Sequence, residues 1–165
     1  MRAATLPPAA DAPARPATAG ERWQAAGAGL FFALFGALPL DTASAVGGAL
    51  GRWIGPRLGI SRRARRNLRA AFPALSDAGI EAIVRAMWNN LGRVAAEYRH
   101  LHRLRVFGPG SRVEVIGLDR LARALAEERR LILFSGHLGN WEIAALAAGQ
   151  YGLAVAQIYR ALNNP

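Results

Sequence analysis

Apolar and polar positions change their spacing several times along this chain, and each change marks an element. From Ala25 to Leu40 no charged residue occurs, and Leu30, Phe31, Phe32, Leu34 and Phe35 crowd one stretch. A bilayer span takes about 20 apolar residues, so this run, with Trp23 at its edge as an interfacial aromatic, predicts a membrane-anchor helix. A buried helix, or a signal-peptide core ending near Ala43-Ser44-Ala45, is the alternative. Gly47, Gly48 and Gly51 then give a small-residue surface that suits close packing against the first apolar run or contact with lipid. A polar helix opens with Ser61 as its cap and ends at Phe72-Pro73. Ser76-Asp77 caps a longer helix that reaches about Arg99. Its apolar positions Ile80, Ile83, Val84, Met87, Leu91, Val94 and Ala95 recur at three- and four-residue spacing, which predicts one buried face.

Gly108-Pro109-Gly110 separates this helical half from a different pattern. Strand-like Val113 to Gly117, helical Leu118 to Glu128, strand-like Leu131 to Ser135, helical Trp141 to Gln150 and strand-like Leu153 to Tyr159 alternate as in parallel βαβ units. The expected fold class is therefore α/β: an N-terminal membrane-anchor helix and a helical segment, then a βαβαβ parallel-sheet core left incomplete at the C-terminus. The expected divisions are a disordered tail over 1–22, rich in alanine and proline, a membrane-associated apolar segment over 23–51, a basic helical segment over 52–111, and the α/β part over 112–165.

Charge alters this picture. The 21 basic residues are all arginine and exceed the 11 acidic ones by ten, which points to an anionic partner. Arg52, Arg57, Arg62, Arg63, Arg65, Arg66 and Arg69 lie directly after the apolar region. Such a cluster is either a solvated helix face or a juxtamembrane patch that binds anionic lipid and keeps its flank cytoplasmic. No nucleic-acid-binding motif accompanies it. The chain has no cysteine and three histidines, so disulfides, thiolate chemistry and a histidine-rich metal site are not expected.

The densest chemistry lies in Leu131-Ile132-Leu133-Phe134-Ser135-Gly136-His137-Leu138-Gly139-Asn140-Trp141-Glu142. An apolar run ends in a glycine-rich turn before a helix, and ligands of open α/β sheets bind at the carboxyl ends of strands. A neutral imidazole at His137 takes a proton from a hydroxyl, and the Glu142 carboxylate on its other ring nitrogen orients it. With Asn140 as the helix cap, Glu142 falls in the first turn, where the helix dipole stabilises negative charge and free amides receive a phosphate or oxyanion. The competing reading gives His137 and Glu142 no role beyond closing a strand and starting a helix. Trp141 is expected to be core packing at the helix start, with a lid or wall for an acyl chain as the alternative. Arg160, past the last strand-like run, is either placed to hold a phosphate or carboxylate or is a surface arginine with no role, and Asn140 and Gly139 are further candidate substrate contacts. Ser135 lacks the glycine of a nucleophile elbow, and no phosphate loop or dinucleotide fingerprint is present.

The block Phe134-Ser135-Gly136-His137-Leu138-Gly139-Asn140-Trp141-Glu142 resembles the first conserved block of the bacterial lipid A biosynthesis (lauroyl/myristoyl) acyltransferases, within the lysophospholipid acyltransferase superfamily. Met87-Trp88-Asn89-Asn90-Leu91-Gly92-Arg93 with Glu97 is similar to that family's upstream helix. Ile158 to Pro165 resembles its Tyr-Arg-Pro…Asn-Pro segment, with Ala161 in place of proline, and Arg63 to Pro73 its Arg-Asn-Leu…Phe-Pro stretch. The resemblance implies an acyltransferase that moves a fatty acyl group from acyl carrier protein to a hydroxyl of a phosphorylated glycolipid, a lipid A precursor. It implies His137 as general base, Glu142 as its partner, no cofactor, and a position at the cytoplasmic face of the inner membrane among anionic lipid. It also implies that 112–165 is the N-terminal part of the acyltransferase domain, completed by later segments. An acyltransferase for another glycolipid, such as a phosphatidylinositol mannoside, and an inactive membrane-binding fragment are the alternatives.

Overall fold

A computed structural model describes residues 18–127 and 131–156 of the chain. Six α-helices occur among them: α1 (Ala19–Gly36), α2 (Leu40–Ile54), α3 (Ser61–Ala71), α4 (Asp77–Glu97), α5 (Leu118–Ala126) and α6 (Glu142–Gln150). Short 3-10 turns at Gly55–Arg57 and Tyr98–Arg103 extend α2 and α4. α1 starts inside the stretch expected to be tail. Thr18 and Glu21 form a reciprocal capping box there, each side chain satisfying the other's backbone N–H.

The centre of the fold is the pairing of α2 with α4. Gly47 lies against Gly92 and Ala96, Gly51 against Trp88 and Gly92, and Gly55 against Trp88, so the helices run antiparallel with small residues at four-residue intervals in the seam. A Cβ on Gly47 would stand 2.5 Å from the Ala96 Cβ, closer than atoms pack, so only glycine lets the backbones approach this far. The small-residue surface thus has a partner other than the first apolar run. Ser61 locks one end of the seam: fully buried, its hydroxyl donates to the Gly55 carbonyl at 2.7 Å and accepts the Trp88 indole N–H at 2.8 Å. It is therefore a buried node inside the first turn of α3, whose cap position is Ile60. Arg93 ties the other end, donating to the Ser44 hydroxyl at 3.0 Å. Phe35, Ala43 and Ala96 form the adjoining core cluster, with Phe31 and Leu38 against it.

α4 is capped by Ser76 as its sequence predicts, the hydroxyl accepting from the Gly79 amide at 3.2 Å. Its buried face differs in part. Ile80, Val84 and Val94 are buried, whereas Ile83, Met87 and Leu91 form an exposed stripe. Glycine at 92 and the Trp88 hydrogen bond select the rotation of the helix, which three- and four-residue spacing alone leaves open.

Two expectations about architecture are overturned. Among the described residues there is no strand, so the expected α/β class with its βαβαβ core gives way to a helical one. Segments 113–117, 131–136 and 153–156 carry no regular secondary structure. A strand exists through its neighbour's ladder of hydrogen bonds and through burial of its faces. Here Ile116, Ile132 and Phe134 are 87%, 80% and 92% exposed, so neither condition is met. The membrane-anchor helix is also overturned: no helix among the described residues is long and apolar enough to cross a membrane. The turn at 37–39 divides the apolar region between α1 and α2, and α2 spends its small-residue face on α4.

Candidate active site

The loop over 136–141 hangs on α4. Leu138 donates its amide to the Gly136 carbonyl at 2.8 Å, and Gly139 takes a φ of 55°, a left-handed conformation that glycine adopts without Cβ strain. The chain reverses there and starts α6. Two side chains of α4 grip this turn: the Asn90 amide donates to the Gly139 carbonyl at 3.3 Å, and Glu97 Oε2 accepts from Asn140 Nδ2 at 2.7 Å. Asn140 therefore does not cap α6. The cap position is Trp141, without a side-chain hydrogen bond. The Asn140 Oδ1, buried, has no hydrogen-bond partner, which leaves one unsatisfied acceptor inside the loop's attachment to α4.

His137 and Glu142 meet through Trp141. The His137 and Trp141 rings stand edge to face with centroids 4.8 Å apart, and the Trp141 indole N–H donates to Glu142 Oε1 at 3.1 Å. The carboxylate thus holds the tryptophan, and the described residues include no direct hydrogen bond from Glu142 to His137. His137 is exposed and Glu142 half-buried. The amides of Ile143 and Ala144 are engaged by the Asn140 and Trp141 carbonyls, each at 3.2 Å. An anion at this helix start would therefore meet the amides of Trp141 and Glu142.

The structure brings together His137, Gly139, Asn140 and Glu142, while Arg160 lies outside the described residues. Sequence reasoning did not find the grip of Asn90 on Gly139 or the bridging place of Trp141. A signal for the second existed: an indole N–H that leaves water needs an acceptor, and Glu142 is its neighbour. No group of acidic or histidine side chains among the described residues is arranged to hold a metal ion.

The first turns of α4 lie beside the arginines of α3. Arg65 makes a two-point ion pair with Glu81, its Nη2 standing 2.9 Å from Oε2. The hydrogen bonds from Arg65 hold the Glu81 carboxyl below the usual carboxylate range and raise the Arg65 guanidinium further still. Arg57 lies over the Trp53 ring, 5.1 Å from its centroid, beside exposed Ile54, Leu58 and Ile60.

Against known proteins, the family model for bacterial lipid A biosynthesis acyltransferase matches residues 18–165. A lipid A biosynthesis acyltransferase of Haemophilus influenzae is 27% identical over 147 residues, which cover 83% of this chain and 44% of that protein. The chain thus spans less than half the length of this relative. No solved structure matches it. The loop held by α4, with His137 and Glu142 around Trp141, falls within the matched residues, and the chain belongs to the bacterial lipid A biosynthesis acyltransferase family.

Proposed function

We propose that this chain carries the proton-transfer centre of an acyltransferase that moves a fatty acyl group from acyl carrier protein to a hydroxyl of a lipid A precursor. The observation that carries the reading is the cluster of His137, Trp141 and Glu142 at the start of α6, inside the region matched by the family. His137 removes the acceptor hydroxyl proton as the oxygen attacks the thioester carbonyl carbon. The tetrahedral oxyanion is received by the Trp141 and Glu142 amides. Its collapse breaks the carbon–sulfur bond, and the leaving thiolate takes the proton back from the imidazolium, giving an ester and a free thiol. Glu142 stabilises the imidazolium once it exchanges the Trp141 N–H for the ring N–H of His137.

The substrate-facing contacts in this reading are Gly139 and Asn140, with Arg160 on the phosphorylated end of the acceptor. The site of action is the cytoplasmic face of the inner membrane. Support for that placement comes from exposed Trp53, Ile54, Leu58 and Ile60 beside the arginines of α3, a combination that binds anionic lipid at an interface.

Incubation of the chain with acyl carrier protein thioester and a lipid A precursor, with product mass read by spectrometry, tests donor and acceptor together. One added acyl chain on the precursor supports the reading; unchanged precursor with intact thioester refutes it. For the membrane placement, vesicles with anionic lipid should retain the chain through a high-salt wash, because apolar contacts outlast screening. Full release by salt would contradict apolar attachment.

A further inference from the structure

A second concave site lies away from the His137 cluster. Between the start of α2 and the segment after α4 is a cavity of about 340 Å³ lined by Pro39, Leu40, His100, Arg103, Arg105 and Arg112 among others. Three arginines line it: Arg112, whose Nη2 is 2.7 Å from the Asp41 carboxylate, Arg103, whose Nε donates to His102 Nε2 at 3.1 Å, and Arg105. The concavity is left strongly positive. Leu40, on its wall, is the first residue of α2, whose N-terminus has no side-chain cap. The unsatisfied amides there add to the attraction for an anion.

Position separates this cavity from the proton-transfer centre. The Gln150 side chain ends α6 by accepting from the Val106 amide at 2.9 Å and donating to the Leu104 carbonyl at 2.8 Å. Leu104 lines the cavity, so the basic site adjoins the far end of α6, about 12 Å along the helix from Glu142. His100 fixes the cavity floor. It is buried, and its Nε2 lies 3.1 Å from the Phe35 carbonyl. That oxygen only accepts, so Nε2 carries the hydrogen.

We infer that this cavity is a binding site for a phosphate monoester, held by Arg103, Arg105 and Arg112 at the uncapped start of α2. Arginine forks match phosphate oxygens in pairs. The volume of about 340 Å³ leaves room for a phosphate together with part of the sugar or glycerol that bears it. A dianionic oxygen cluster would share Arg112 with Asp41, take the terminal guanidinium nitrogens of Arg103, whose Nε is held by His102, and engage Arg105. This site stands independently of the acyl-transfer reading, since its ligand is tested without any acyl donor.

Binding of inorganic phosphate, glycerol 3-phosphate and vesicles of phosphatidylcholine with phosphatidic acid is to be measured by titration on the whole chain. The comparison is between wild type, Arg103→Gln/Arg105→Gln, and an Arg120→Gln/Arg123→Gln control of equal charge on α5. A loss of affinity of at least fivefold in the first variant, with the control unchanged, is expected for whichever phosphate source binds. Preference for glycerol 3-phosphate over the vesicles marks a soluble monoester, and the reverse a lipid headgroup. Equal losses in both variants, or no binding of any probe by wild type, overturn the proposal. Arginine labelling by phenylglyoxal on wild type needs no variant to fold: bound phosphate should slow labelling of Arg103 and Arg105 relative to Arg120, and equal rates contradict the site.

Discussion

Asn140 Nδ2 and Glu97 Oε2 are 2.7 Å apart although 43 positions separate the residues, and this hydrogen bond fastens the loop bearing His137 to the longest helix. The acceptor is ionised and the pair is partly buried, so the bond belongs to the stronger class, at about 1.5–3 kcal/mol. Its physical effect is positional: with Asn90 on Gly139, it holds the turn that delivers both His137 and Glu142.

Glu97→Ala is therefore expected to lower kcat for acyl transfer by about tenfold or more, the rate equivalent of losing roughly 1.4 kcal/mol of positioning. Glu97→Gln keeps an acceptor oxygen and should recover most of that loss. A variant pair with equal kcat would show that the Glu97 carbonyl-type acceptor does not position the loop.

The glycine seam makes a contrasting prediction. Gly92→Ala puts a methyl group into the Gly47 backbone and should cost about 1–3 kcal/mol, as overpacking does. Gly27→Ala on α1 meets nothing within 4 Å and should stabilise by about 0.5–1 kcal/mol through helix propensity. Urea unfolding of the two variants checks both signs. A neutral Gly92→Ala would mean that α2 and α4 are not in close contact.

Acid sensitivity follows from Glu81. Its folded-state pKa is depressed by the Arg65 hydrogen bonds, so it contributes stability that is fully present above the ordinary glutamate value near pH 4.3 and is lost as pH falls through the lower folded value. Arg65, raised by the same bonds, loses its share only at extreme alkaline pH. Wild type should thus lose more urea resistance than Glu81→Gln between pH 6 and pH 3. Parallel losses in the two proteins would remove Glu81 from the account.

Helix α4 was legible from its Ser76 cap and the spacing of Ile80, Val84 and Val94, because capping and periodicity are local. The small residues Gly47 and Gly51 announced close packing but not their partner, which depends on where Trp88 and Gly92 come to lie. Leu131 to Phe134 misled for a physical reason: an apolar run has the same composition whether or not a neighbouring strand pairs with it, and here none does. At the candidate site, the nearness of His137, Asn140 and Glu142 was readable because they are neighbours along the chain, whereas the grip of Asn90 and Glu97 on their loop depends on how α4 packs. The seating of Trp141 between His137 and Glu142 was not readable, since it depends on which acceptor the indole N–H reaches.

The central claim is that His137 is the base. Acyl transfer from acyl carrier protein to a lipid A precursor, followed for wild type, His137→Ala and Glu142→Ala, tests it most directly. The account predicts a loss of about 100-fold or more for His137→Ala, in the range of general-base catalysis, and a smaller loss for Glu142→Ala. Equal rates in all three proteins would contradict it.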